Sequence, residues 1–205
     1  MSGVGKSTLF EKLIRRESAR WIFIYDHKDG DMARRFKIRP CYSLDDLEVA
    51  TERGGFVIFN PGRMFPGEPE RGFDFFVQWV WPICKLLPGK KILASDELDD
   101  LLEDARKPLC VILDQGRTFQ IDCVFICQSM NAVHNQVRKQ FTEIFAFRQG
   151  DKNGTLWLQD KGFSESELLT LKNGEWLYRN LNTGHFEKGG SPFTPKNAGR
   201  NLKGL

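Results

Sequence analysis

The first eight residues, MSGVGKST, constrain this chain more than any other stretch. Gly3, Gly5, Lys6 and Ser7 match the second half of the pattern G-x-x-x-x-G-K-[ST], and residues 7–16 (STLFEKLIRR) follow with Leu9, Phe10, Leu13 and Ile14 at the spacing of one helical face. Glycines in such a turn let backbone N–H groups close on phosphate oxygens, and a helix beginning at Lys6 points its positive dipole end at them. In that arrangement Lys6 reaches the β and γ oxygens and Ser7 holds Mg²⁺, so Gly3, Val4, Gly5, Lys6, Ser7 and Thr8 are expected to bind a nucleoside triphosphate with its metal. The competing reading is a chance Gly-Lys-Ser, against which stands the helix that follows.

One departure accompanies the match. The first glycine of the pattern would fall one position before Met1, and the strand that normally feeds such a loop does not appear in the sequence. Loss of that strand would leave two neighbouring strands unpaired. Either the reading begins at an internal methionine or the strand is supplied from elsewhere.

The remainder reads as one α/β domain over residues 1–187, followed by a basic flexible tail over residues 188–205 (KGGSPFTPKNAGRNLKGL), rich in Gly, Pro and Asn and without apolar period. A chain of 205 residues that is 40% apolar can bury a core without disulfides or metals. Cys41, Cys84, Cys110, Cys123 and Cys127 form no CxxC pair, and three lie in apolar runs, so they are read as reduced and the protein as intracellular. No apolar run approaches the roughly 18 to 20 residues of a membrane span. A net charge of +3 permits a nucleic-acid partner without arguing for one.

Along the chain, short apolar runs alternate with helical patterns. Strands are expected at residues 21–25 (WIFIY), 55–60, 91–95, 121–127 and 144–147 (IFAF). Helices are expected at residues 43–51, 73–87 with a kink at Pro82, 98–106, 110–117 and 133–141, an irregular loop at 61–72, and a hairpin or edge strand around Asn173-Gly174. Strands separated by helices imply a mainly parallel sheet. His27, His134 and His185 have no ligand-like spacing, and Asp26 and Asn60, at strand ends, read as turn residues.

Two further motifs carry chemistry. Residues 91–97 (KILASDE) form an apolar strand ending in adjacent carboxylates, the pattern that delivers Asp96 to a Mg²⁺ shell and lets Glu97 polarise an attacking water. An acidic helix cap is the structural alternative. Residues 121–128 close on Gln128, placed to sense a γ-phosphate, and Arg117 just upstream is the candidate arginine finger toward a neighbouring subunit, with Arg138 and Arg148 as rivals. Adjacent Asp-Glu favours water-activating NTPases of the additional-strand group over kinases, and no arginine-rich lid segment appears.

Taken in order, GVGKST, YDHK, FNP, KILASDE, GRTFQIDCVFICQ and IFAFRQ make the chain resemble the FtsK/HerA superfamily of DNA-pumping ATPases. Its small size and the closing LKNGEWLYRN resemble, within that superfamily, the genome-packaging ATPases of tailless, membrane-containing double-stranded DNA viruses. The resemblance implies a RecA-like core, a hexameric or similar homo-oligomeric ring with ATP and Mg²⁺ between subunits, and double-stranded DNA in a central channel. It also implies Lys6 and Ser7 as phosphate and metal ligands, Asp96 completing the metal site, Glu97 as base, Gln128 as sensor and Arg117 as finger. Capsid-vertex or viral membrane proteins would be further partners, and the place of action the host cytoplasm or the packaging vertex of the virion. Two alternatives remain open at the level of sequence: a filamentous-phage-type morphogenesis ATPase that extrudes virions, and a nucleotide-binding module that does not hydrolyse.

Overall fold

Four of the expected apolar runs become one parallel sheet in the computed structural model, which describes residues 5–28, 30–98, 101–130, 132–150 and 152–190. The strands are β1 (Trp21–Tyr25), β2 (Gly55–Phe59), β3 (Lys91–Ser95) and β4 (Ile121–Phe125), in the order β2-β1-β3-β4. β1 and β3 are buried along their whole length because both faces of the sheet are covered. On one face Ile22, Ile24, Ile58 and Ile92 pack with Ile14 of α1 (Lys6–Arg16) and Met32 of α2 (Asp31–Phe36). On the other, Phe23 and Tyr25 meet Phe73, Phe76 and Trp79 of α4 (Pro69–Leu86), with ring centroids 5.1–6.1 Å apart. A strand flanked on both sides has no polar face to show, which is why WIFIY carries no alternation.

The register sets the strand ends level. Tyr25 pairs with Phe59 and Ser95, and Ser95 with Phe125, so Asp26, Asn60, Asp96 and Ile126 all leave the same, carboxyl edge. After β1 the chain moves outward to β2, through α2 and α3 (Leu44–Arg53); after β3 it moves the opposite way to β4, through α5 (Leu102–Gln115). The strand order therefore reverses between β1 and β3, the position at which open α/β sheets form a crevice at their carboxyl ends.

The chain divides into two compact units, residues 10–140 with the parallel sheet, and residues 1–9 with 141–205. The second unit holds a three-stranded antiparallel sheet of β5 (Glu143–Ala146), β6 (Trp176–Asn180) and β7 (Phe186–Gly189), with α7 (Lys152–Asp160) and α8 (Glu165–Thr170). Its core gathers Ala146, Leu158, Phe163, Leu168, Leu171 and Leu177.

Several expectations need correction. IFAF is a strand, but it lies in the antiparallel sheet, where Phe145 pairs with Tyr178. The helices expected at 98–106 and 110–117 form the single helix α5, which continues through Pro108. Residues 133–141 yield only one turn, α6 (Asn135–Arg138), whose start is set by the His134 side chain accepting from Gln136 N. The 61–72 loop contains a 3-10 turn, and α4 starts inside it at Pro69, whose missing N–H costs nothing at a first helical position. Asn173-Gly174 is the turn between α8 and β6; the hairpin closes instead at residues 181–185, where Asn180 Oδ1 accepts from Asn182 N and Thr183 N at 3.0 Å each and Gly184 supplies a φ of 71°. Pairing in β7 runs through Lys188 and Gly189. The tail residues 191–205 lie outside the described residues.

Candidate functional site

At the carboxyl edge of the parallel sheet, hydrogen bonding continues beyond the strands. Ile126 N donates to Ser95 O at 3.1 Å and Leu98 N donates to Ile126 O at 2.8 Å, so the segments following β3 and β4 stay side by side. This zipping brings Gln128, three residues past β4, to Glu97, two past β3: Gln128 Nε2 donates to Glu97 Oε1. Glu97 is 8% exposed, has a φ of 56°, and its other oxygen forms an ion pair with Lys28 Nζ. A left-handed backbone at a residue with a Cβ costs roughly 1 kcal/mol or more, and surrounding contacts must hold it. Here both carboxylate oxygens are held.

Asp96, half-buried, precedes it directly. Its field reaches Arg35, whose guanidinium is held more firmly protonated chiefly by its 2.7 Å hydrogen bond to Asp31, with Asp96 adding to the effect. Asp96 and Glu97 stand side by side just past β3, and Glu97 is gripped by a cation and an amide.

Asp26, at the end of β1, is 2% exposed and accepts from Ala33 N at 2.9 Å, closing the turn into α2. Burial pushes its carboxyl up to about 6, with the backbone N–H groups of Ala33 and Met32 opposing the shift. It is a turn residue, as is Asn60, whose Oδ1 accepts from Gly62 N at 3.0 Å. Tyr25, whose hydroxyl donates to Pro69 O at 2.5 Å, has its phenol pushed up by burial and adds no acid to the edge.

Arg117 lies in the 3-10 turn Gly116–Phe119 that leads into β4, hence at the amino edge of the sheet, and it is exposed. The strand length separates it from Glu97 and Gln128 of its own chain, so the structure does not bring it to them. Of the rivals, Arg138 is in α6 and Arg148 follows β5.

In the other unit, Leu9 N donates to Gly5 O at 3.0 Å at the start of α1, and Lys6, Ser7 and Thr8 form its first turn. That turn holds no acidic side chain of its own. Gly5 has a φ of 99°, and a Cβ on it would lie 3.2 Å from Gly174 Cα and 3.5 Å from the Phe147 ring. Glycine is thus required at this position both for its dihedral and for the close approach of the 173–174 turn. Gly3 and Val4 lie outside the described residues.

Lys28 was missed as a site residue by sequence reasoning. The signal existed: a cation three residues past the end of an apolar strand, in the polar run YDHK. Its partner, however, lies 69 positions along the chain, and only the β1–β3 pairing identifies it.

No family model and no curated relative matches the sequence. Among solved structures, the chain is similar to B204, the DNA-packaging ATPase from Sulfolobus Turreted Icosahedral Virus, at a TM-score of 0.62 and 17% identity over 94% of both chains. It is similar to the genome packaging NTPase B204 from Sulfolobus turreted icosahedral virus 2 in complex with AMPPCP at a TM-score of 0.64 and 16% identity, again over 94% of both. EssC (ATPases 2 and 3) from Geobacillus thermodenitrificans superposes at a TM-score of 0.58 and 13% identity, over 87% of this chain and 36% of that one. The chain therefore has the RecA-like P-loop ATPase fold that its resemblance to the FtsK/HerA-type packaging ATPases implied.

Proposed function

We propose that this chain is an ATP-hydrolysing motor domain that translocates double-stranded DNA, packaging a viral genome into a capsid. The observation that carries the reading is the Glu97–Gln128 pair beside Asp96, at the carboxyl edge of the parallel sheet in a P-loop ATPase fold. Similarity over nearly the whole length to the two B204 packaging proteins supports it, as does the acid-free first turn of α1.

In this reading Gly3, Val4, Gly5, Lys6, Ser7 and Thr8 bind the triphosphate, Lys6 by its charge and the others through backbone N–H groups and hydroxyls. The Ser7 hydroxyl and the Asp96 carboxylate are hard oxygen donors of the kind Mg²⁺ takes, and they would hold it together with phosphate oxygens and water. When bound, the ion would neutralise triphosphate charge. Glu97 takes the proton of the attacking water, Gln128 senses the γ-phosphate, and Arg117, exposed at the amino edge, serves the nucleotide of a neighbouring subunit in a ring. Capsid-vertex or viral membrane proteins would be the docking partners, in the host cytoplasm or at the packaging vertex.

The test is ATP turnover by the full chain with and without double-stranded DNA. Stimulation by DNA is expected, and turnover indifferent to DNA would sink the motor. Glu97→Gln should lower turnover by about 10²- to 10⁴-fold while leaving nucleotide binding intact. Binding without any turnover in the unaltered chain would identify the non-hydrolysing module instead.

A further inference from the structure

The Lys28–Glu97 ion pair crosses the crevice where the strand order reverses. Lys28 belongs to the segment that follows β1 and Glu97 to the one that follows β3, and these are the adjacent strands whose outgoing connections diverge. The environments of the two groups are unequal. The Glu97 side chain is 11% exposed, whereas that of Lys28 is 43% exposed. A carboxylate removed from water to this degree is stabilised by a compensating cation and by hydrogen-bond donors, and Lys28 with Gln128 supplies both. The ammonium keeps much of its own hydration, so it meets this need at low cost to itself.

Geometry adds a second reason. With φ at 56°, the Glu97 backbone lies in a region that residues bearing a Cβ rarely adopt, and this sets the direction in which its side chain leaves the strand tip. Gln128 approaches from the β4 side and Lys28 from the β1 side, so the carboxylate is held between donors carried by the two strands that flank β3. A donor on one side alone would leave it a rotational freedom that a group acting on a single water has to lose.

We propose that Lys28 is a positioning residue for Glu97, fixing the carboxylate across the β1–β3 crevice in the orientation from which it acts. This rests on Glu97 being the base of the proposed reaction. Lys28 touches no reacting atom in this role and works through the carboxylate alone.

The experiment uses the full chain and compares Lys28→Met, Lys28→Arg, Glu97→Gln and the double variant Lys28→Met with Glu97→Gln. Steady-state ATP hydrolysis should show kcat lowered by about tenfold or more in Lys28→Met, with KM changed by less than about twofold. Lys28→Arg should recover most of the loss, and the double variant should be no slower than Glu97→Gln, because Lys28 acts only through that side chain. A native kcat in folded Lys28→Met, no recovery with arginine, or a double variant slower than Glu97→Gln would each overturn the proposal. A Glu97→Gln rate equal to that of the unaltered chain would instead remove the base reading on which it rests. A second measurement does not depend on turnover. Acylation of the Lys28 amine by an N-hydroxysuccinimide acetate, followed by mass spectrometry, should rise several-fold in Glu97→Gln, and unchanged labelling would show that the pair does not form in solution.

Discussion

The two sheets of this protein bury their strands in different ways. β1 and β3 of the parallel sheet are buried at every residue, covered by helices on both faces. In the antiparallel sheet β5 and β7 are mostly half-buried or exposed, and only the middle strand β6 lies deep, with Trp176, Leu177 and Tyr178 buried. A parallel sheet needs long crossovers, and their helices cover it; an antiparallel hairpin needs only a tight turn and can leave one face in water. Glu97 and its partners Lys28 and Gln128 issue from the level carboxyl ends of the parallel strands, while Gly5, Lys6 and Ser7 belong to the other unit, where Gly174 packs against Gly5.

Substitutions can break or sharpen this contrast. The largest effect is expected from Phe23→Ala, at 0% exposure in the middle of β1, with a loss of about 4 kcal/mol measured by urea unfolding. Leu177→Ala, equally buried but in β6, should cost about 3 kcal/mol and lower amide-exchange protection in β5–β7. Equal loss of protection in β1 and β3 would mean that the two sheets open as one, and the contrast would fail.

The pH dependence of stability provides a third check, confined to the parallel-sheet unit. Asp26 has its carboxyl raised to about 6 by burial, so the folded state binds the proton more tightly than the unfolded chain. Its contribution is therefore most favourable below the ordinary carboxylate value and declines as pH rises through about 6, by on the order of 3 kcal/mol. In Asp26→Asn that decline should vanish from a series of urea titrations between pH 4 and 7; an unaltered slope would place its origin elsewhere. Ser43→Ala removes the acceptor for Asp46 N, at 3.1 Å, and with it the cap of α3, for a loss of about 1 kcal/mol by thermal unfolding. Phe186→Ser, on half-exposed β7 with its ring 6.1 Å from that of Phe163, should cost no more than about 1 kcal/mol. A loss several times larger would show β7 to be buried more deeply than the contrast allows.

The parallel sheet was readable because each strand announces itself within five residues. WIFIY and KILAS need no partner to be recognised, and their polar terminators mark the edge where chemistry collects. The antiparallel sheet was read only in part. IFAF is as apolar as any of the parallel strands, and nothing within it states that its neighbour, residues 176–180, runs in the opposite direction. A helix start was misplaced where a side-chain cap set it, as at His134, and two helices were expected at 98–106 and 110–117 where the single helix α5 runs through Pro108.

The site divides along the same line. Sequence by itself determined which residues are candidates for the proposed chemistry, and where they stand relative to their own elements: Lys6 and Ser7 at a helix start, Asp96 and Glu97 past one strand, Gln128 past another. Those assignments depend on local geometry, which a few neighbouring residues fix. Only the tertiary structure decided that Glu97 is clasped by Lys28 and Gln128, and that Arg117 lies at the opposite edge of the sheet. Strand order and register determine these placements. They are settled by which apolar surfaces bury one another across long stretches of chain, and no window of sequence contains that competition.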